Sequence, residues 1–423
     1  MSRSRQSVSR VLAGPGPSRR RVGQGLAAAL ATLALAACGS GASVAEQSGS
    51  GTAPTPTGGA STGASAAASP TPTASAQDFS SIIPKGDIVA ASKAMVATSL
   101  SAAKGFTPPA TGPKAQQPGS KIAFVAGDLS NGGHNATSKA VQEAAKVIGW
   151  TVNVYDGQGT PQGNRDAMTQ AITAKPAAII LGGLDPTEQA TTIKQATASG
   201  IPVIGWHAGV LTGPGNGLVT NVSTDPLAVS QIAAAYAVAD SDGKAGVAIF
   251  TDGQYELAVT KARAMEAYFK ACTTCTVLSF EDSPIATADQ RMPGLVSNLL
   301  QQNGDRLTYL MAINGNYFAG AAQALRDAGK KPDGPPKSVA AGDGDAAEMQ
   351  RIRSNNYQAA TVAEPIDLQG WQLVDEVNRV LAGAKPSGFV AAPGLVTKAN
   401  VPKGDVFDPA SGYKDVYRKV WGK

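Results

Sequence analysis

Histidine and cysteine are almost missing from this chain: there are two of the first and three of the second in 423 residues. Metal centres draw on clusters of these residue types. Beyond His134, His207 and the pair Cys272 and Cys275 in KACTTCTV, nothing here offers a ligand set, so no resident metal is expected. The CxxC spacing also fits a thioredoxin-like redox site. Nucleotide and hydrolase signatures are missing too. No Walker loop, G-x-S-x-G elbow or Rossmann glycine triplet follows a strand, and GGLDPTEQ and AGDGDAAE are glycine-containing turns with no lysine or third glycine in place. No cofactor is implied. Catalysis on this chain would have to fall on carboxylates such as Asp343 and Glu364, in a glycoside-processing role, and the expectation is a protein that is not an enzyme. Excess positive charge is also lacking once its location is considered. Six arginines (Arg3, Arg5, Arg10, Arg19, Arg20 and Arg21) precede Cys38 with no acidic residue among them. The remaining 30 basic residues face 31 acidic ones, which leaves no basic patch for nucleic acid.

What is present begins with a leader. Arg19, Arg20 and Arg21 precede a run from Val22 to Ala37 without a charged residue. That run is short for a membrane span, which needs about 20 apolar residues, and has the layout of a cleaved export signal. SRRRVGQ faintly resembles a twin-arginine signal, without the aromatic-leucine continuation. Leu35-Ala36-Ala37-Cys38 resembles a bacterial lipobox, which implies cleavage after residue 37, a diacylglyceryl group on Cys38 and an extracytoplasmic protein held at the outer face of the cell membrane. From 38 to 77 follow Gly, Ser, Ala, Thr and Pro with one charged side chain, Glu46, a composition that cannot bury a core and reads as a tether. Residues 78–120 read as an extension: an amphipathic helix after Pro84, then the linker TPPATGPKAQQPG. In an exported chain Cys272 and Cys275 are expected as a disulfide.

From Lys121 short apolar runs alternate with helical periods. KIAFVAG, TVNVYDG, AAIILGG, IPVIGWHAG and GLVTNVS read as strands, and after Asp225 the pattern restarts with KAGVAIFTDG, CTVLSFEDS, RLTYLMAING, KSVAAGDGD and YQAATVAEP. Asn135 or Thr137 is the expected cap of the first intervening helix, and Gly149 its end. Continuous apolar strands joined through helices predict the α/β class, with two similar doubly wound parallel-sheet lobes. Ligands gather beyond the carboxyl ends of such strands. The residues to inspect are therefore Asp128, Ser130, Asn131, Asp156, Asp185, Trp206 and His207 in the first set, and Asp252, Tyr255, Glu281, Asp282, Asn314, Asn316, Tyr317, Asp343, Asp345 and Glu364 in the second. Each is equally at home as an ordinary turn or helix-cap residue.

These segments carry a resemblance. KIAFVAGDLSNGGHNATSKAVQEAAKVIGW, SGIPVIGWHAG, LMAINGNYFAGAAQALRDAGK and AAGDGDAAEMQRIRSNNYQAATVAEPIDLQGWQLVDEVNRVLAG look like the type I periplasmic, ribose-binding-like sugar-binding proteins. The resemblance implies that two lobes joined by a three-strand hinge close on a small polar, sugar-like ligand and deliver it to the permease of an ABC importer. A receptor feeding a membrane histidine kinase has the same implied fold. It implies ligand roles for Asn131, Asn314, Asp343 and Glu364, and a monomer, with chain crossings near Val222, Glu364 and Ala391. Lobe one would then be 121–222 with 364–391, and lobe two 223–363 with 392–423. Departures from the family pattern lie at Gly133 and His134, which stand where it has paired aromatics, and at His207-Ala208 beside Trp206, which replace an Asp-Arg pair. Its second-lobe arginine has Lys261 and Arg263 nearby. His134, Trp206, His207, Tyr255 and Tyr317 complete the expected ligand set. A pocket that keeps acids and loses arginines tilts acidic, which leaves a neutral polyol, an amino sugar or another cationic molecule open.

Overall fold

The computed structural model describes residues 77–101 and 108–423, which lie in one compact unit spanning Pro70–Lys423. The expected leader, Cys38 and the tether before residue 77 lie outside the described residues. The first sheet contains β1 (Lys121–Ala126), β2 (Thr151–Asp156), β3 (Ile179–Gly182), β4 (Val203–Trp206) and β5 (Asn221–Val222). All its pairings are parallel, in the order β2-β1-β3-β4-β5. The second contains β6 (Gly246–Thr251), β7 (Thr276–Asp282), β8 (Tyr309–Ala312), β9 (Lys337–Ala340), β10 (Gln358–Ala363) and β11 (Gly394–Thr397), in the order β11-β10-β9-β8-β6-β7. It repeats the same winding and adds β11 as an antiparallel edge.

Central strands β3, β4, β6 and β8 are buried at every residue, as sheets covered on both faces require, whereas the edge strand β2 is half-buried. The covering helices are α2 (Gly132–Val147), α3 (Pro161–Thr173) and α4 (Ala190–Ala198) in the first lobe. In the second they are α5 (Pro226–Asp240), α6 (Glu256–Ala271), α7 (Ala288–Asn303), α8 (Phe318–Asp327) and α9 (Ala346–Arg353). Thr160 and Asp225 cap α3 and α5, each with proline at the first helical position, where a missing N–H costs nothing. Cys272 and Cys275 are bonded to each other at the end of α6, with Cα atoms 5.3 Å apart, and so tie that helix to β7.

Helix α5 is apolar around its whole circumference, and the helix of the N-terminal extension, α1 (Ile88–Ser101), covers its outer side. Ser92 Oγ of α1 and the Tyr268 hydroxyl of α6 lie 2.8 Å apart, and Gln231 Nε2 of α5 donates to the Ile82 carbonyl at 2.6 Å. The extension therefore completes the second lobe. The linker at 108–120 instead runs along the first lobe, where the Asn378 side chain accepts from the Gln116 N–H at 2.8 Å.

After β10 the chain returns to the first lobe as α10 (Ile366–Leu381), which packs along α2, and then crosses back to form β11. The tail does not stay in the second lobe as expected. Helix α11 (Tyr413–Trp421) crosses once more and enters the first lobe's core. Its Trp421 stacks on Trp371 at 5.6 Å and donates Nε1–H to Asp375 at 2.8 Å. The apolar face of α11, with Tyr413, Tyr417, Val420 and Trp421 buried, drives that crossing.

Candidate functional site

Doubly wound sheets bind ligands where neighbouring strands send their connections to opposite faces. In the first lobe that point lies between β1 and β3, and in the second between β6 and β8. A cavity of about 70 Å3 lies between the lobes there. One water needs roughly 10–15 Å3 on that measure, so the space holds about five waters, the scale of a small polyol.

Asn131 follows β1 and caps α2, four residues before the earlier of the two caps expected. Its Oδ1 accepts from the Gly133 N–H (2.9 Å) and the His134 N–H (3.4 Å), which leaves the Nδ2 amide without a partner on the cavity wall. His134, one turn in, accepts from the Asp128 N–H at Nδ1 (3.1 Å), so its proton sits on Nε2. Burial pushes this imidazole down to about 4 despite the Asp128 carboxylate, and it is neutral at pH 7. From the second lobe Asn314 mirrors Asn131. Its Oδ1 accepts from the Asn316 N–H at 3.2 Å and its Nδ2 is free at the cavity. Tyr255 lines the same wall half-buried, its phenol pushed up first by burial and then by Asp252.

Asp343 enters from the turn after β9. It has φ +61°, between Gly342 at +137° and Gly344 at +76°, an arrangement that only a glycine-flanked aspartate or asparagine sustains without heavy strain. Only 8 % of the residue is exposed, and no described residue donates a hydrogen bond to its carboxyl. Burial outweighs the nearby Lys261 and His207 and pushes this carboxyl up to about 7. The turn is held from behind by Glu348, whose carboxylate accepts from the Gly344 N–H (2.6 Å) and from Gln358 (2.8 Å).

Three of the expected ligand residues are placed otherwise. Tyr317 is fully buried in the second lobe's core, where its hydroxyl donates to the Ser283 carbonyl at 2.9 Å. Trp206 lies behind His207, ring on ring at 4.1 Å, and donates Nε1–H to Gln369 at 2.9 Å. Glu364 is a knot in the hinge. Lys261 Nζ from the second lobe lies 2.9 Å from one carboxylate oxygen, and His207 Nε2 from the first lobe lies 2.7 Å from the other. The His207 contact lies off the line of a well-aligned hydrogen bond. Thr224, on the neighbouring crossing, donates its hydroxyl to the same carboxylate. Burial pushes Glu364 up, but His207 and Lys261 outweigh it and hold the group well below the usual carboxylate range.

Among the other strand-end acids, Asp156, Asp185, Asp252 and Asp282 accept turn N–H groups, and Asp345 caps α9. Sequence reasoning overlooked the apolar wall made by Leu257, Ala258, Ile285, Ala286 and Ile313. Lys261 was legible: it falls on the buried face of α6 set by Ala258, Ala262 and Met265.

The rims touch. A Cβ on Gly132 would fall 1.7 Å from Asp345 Oδ2, and one on Gly133 2.8 Å from Asp343 Cγ. Where the resembled family has aromatics, side chains from the opposite lobe fill the room. The arrangement is closed.

Residues 122–385 match the model of a periplasmic binding protein domain. No curated protein is similar enough in sequence to count as a relative. Solved structures with the same fold include an ABC transporter solute-binding protein from Agrobacterium vitis bound to alpha-D-tagatopyranose, at 19 % identity, TM-score 0.60 and coverage of 67 % of this chain and 96 % of that one. GanP, a glucose-galactose binding protein from Geobacillus stearothermophilus, has 20 % identity and TM-score 0.60 over 68 % and 100 % of the two chains. A sugar ABC transporter protein from Yersinia enterocolitica has 19 % identity and TM-score 0.61 over 74 % and 99 %. At these identities the likeness is one of fold.

Proposed function

The chain belongs to the periplasmic binding protein family, matched over residues 122–385, and from that premise we propose that it is an extracytoplasmic receptor that captures a small polar solute, closes over it and hands it to an ABC-type permease. Lipidation at Cys38 would hold it at the membrane, with the Ala/Ser/Thr/Pro/Gly segment as its leash. Its work is binding, without bond breaking.

One observation carries the reading: buried polar groups without protein partners converge on one small cavity from both lobes, Asn131 from the first and Asn314 and Asp343 from the second. These groups face the cavity, and a solute can satisfy both sides at once only in the closed state. That differential contact is what shifts a hinge equilibrium. The three structural neighbours named above support a hydroxyl-rich solute, since their descriptions name tagatopyranose, glucose and galactose, and sugar.

Thermal unfolding of the mature chain with pentoses, hexoses, polyols, amino sugars and nucleosides tests this. A ligand at a hundred times its Kd adds about 2.7 kcal/mol, which raises the melting point by roughly 5–10 °C in a protein of this size. Asn131→Ala and Asn314→Ala abolish the shift, while Tyr317→Phe, a change in the core, keeps it. If no compound moves the transition and one of them is turned over instead, the proposal is wrong.

A further inference from the structure

We propose that the captured solute is cationic, with an ammonium group seated between Asp128 of the first lobe and Asp343 of the second. This rests on reading the cavity as a solute site.

The cavity wall carries acids that no free cation on it meets. Lys261 is its only lysine or arginine among the described residues, and its ammonium is committed to Glu364 at 2.9 Å, with His207 and Thr224 on the same carboxylate. His134 is neutral at pH 7 and its Nδ1 is occupied by the Asp128 N–H. The free donors, the Nδ2 amides of Asn131 and Asn314, the His134 Nε2–H and the Tyr255 hydroxyl, are uncharged. Two acids remain, and burial pushes one of them, Asp343, up to about 7, so an ammonium beside it favours its ionised form. Asp128 uses Oδ1 for the Ser130 N–H (2.8 Å) and hydroxyl (2.6 Å), which leaves Oδ2 open. Asp343 has both oxygens open, and it is nine-tenths buried.

Hydroxyl groups can donate to such oxygens but bring no charge. An ammonium brings three N–H donors and a positive charge, and its hydrogen bonds to carboxylate are of the charge-assisted kind. Because the two acids belong to different lobes, the cation also gains most when the cleft is shut. The amides of Asn131 and Asn314 are left to take a hydroxyl or carbonyl oxygen of the same molecule.

Calorimetric titration of the mature chain with matched pairs tests the charge: glucamine against sorbitol, putrescine against butanediol, and glucosamine against glucose. The expected result is that the ammonium member of at least one pair binds about tenfold or more tighter than its neutral partner, the scale of one charge-assisted bond. Asp343→Asn, which the left-handed backbone tolerates, and independently Asp128→Asn, reduce that preference to about threefold or less, while neither lowers the melting point of the empty protein. Neutral members binding as tightly as their ammonium partners overturn the inference and leave the receptor reading standing. A preference that survives both substitutions also overturns it. Binding by no member of any pair, together with no thermal shift from any sugar or polyol, sinks the inference and the receptor reading together.

Discussion

Glu364 is the most consequential single carboxylate for the hinge, and Glu364→Gln is the cleanest perturbation of it. The side chain is 1 % exposed and holds Lys261 from one lobe and His207 from the other. Glutamine keeps the shape and can still accept from Lys261, but its NH2 replaces the oxygen that accepts from Thr224, so the change removes the charge and that hydrogen bond. It leaves a lysine ammonium buried, 7 % exposed, without a counter-ion. Breaking a buried pair in this way costs about 3–5 kcal/mol, a large share of the roughly 5–15 kcal/mol that holds a folded domain together. At about 2–4 °C per kcal/mol, the melting point falls by roughly 6–20 °C, measured by calorimetry on the empty protein. Removing both charges with Lys261→Met and Glu364→Leu costs less than the sum of the single changes, by about 1–3 kcal/mol, because no charge is stranded. The reasoning is refuted if Glu364→Gln melts within about 2 °C of the parent or if the two single losses simply add.

Two further outcomes follow from the cavity. Asp343 moves from 3.8 up to about 7 on folding, so over that interval the native state holds the proton better than the unfolded chain, and stability falls as pH rises through it. At 1.36 kcal/mol per pH unit the loss approaches about 4 kcal/mol. Glu348, also pushed up to about 7 by burial, acts in the same direction, while Lys261 and His207 facing Asp343 oppose it. Urea unfolding at about pH 5 and about pH 8 should show the decline, and Asp343→Asn should flatten it; an unchanged slope removes Asp343 as its source. At the rim, Gly132→Val puts a Cβ within 1.7 Å of Asp345 Oδ2, on a carboxylate whose other oxygen is held by the Glu348 N–H in the capping box. Closure is blocked, so affinity drops at least about tenfold, small-angle scattering reports a more open particle, and the melting point of the empty protein stays high. Tight binding by this variant would mean that closure does not require the rims to meet.

The legible part of the molecule is the part written in short-range periodicity. All ten strands read from apolar runs exist, because strands buried on both faces must be apolar at every position, and that pattern survives without knowledge of their partners. Strand β11 escaped because it pairs antiparallel at an edge, outside the strand-helix alternation that marks the others. The first helix starts earlier than expected. Gly132 and Gly133 have low helix propensity and hide the start, which is set by one Asn131 side chain accepting two N–H groups. Site residues were harder, since a polar or aromatic residue after a strand looks the same whether it turns to the cleft or to the core. Asn131, Asn314 and Asp343 turn to the cleft. In Tyr317 a short 3-10 turn sends the ring down to Phe250, 6.1 Å away. Glu364 is polar for a reason no local window contains: its partners lie 103 and 140 residues away in sequence.

The placement of charge sets which terms decide between the open and the shut cleft. Shutting it brings Asp343 and Asp345 onto Gly133 and Gly132, at the amino end of α2, where the aligned peptide dipoles favour negative charge. Glu364 meanwhile gains Lys261 and His207 from opposite sides. Both terms draw the empty lobes together. Against them stands the Asp343 carboxyl, which loses its water on closure and meets no protein donor in return. The same side chain therefore resists closure of the empty cleft and rewards closure on a solute that donates to it. Substituting it separates the two effects: Asp343→Asn lowers the barrier to empty closure and lowers the gain from the ligand, so the difference in shape between empty and loaded protein shrinks from both ends. An inert lining residue would weaken binding without touching the empty state.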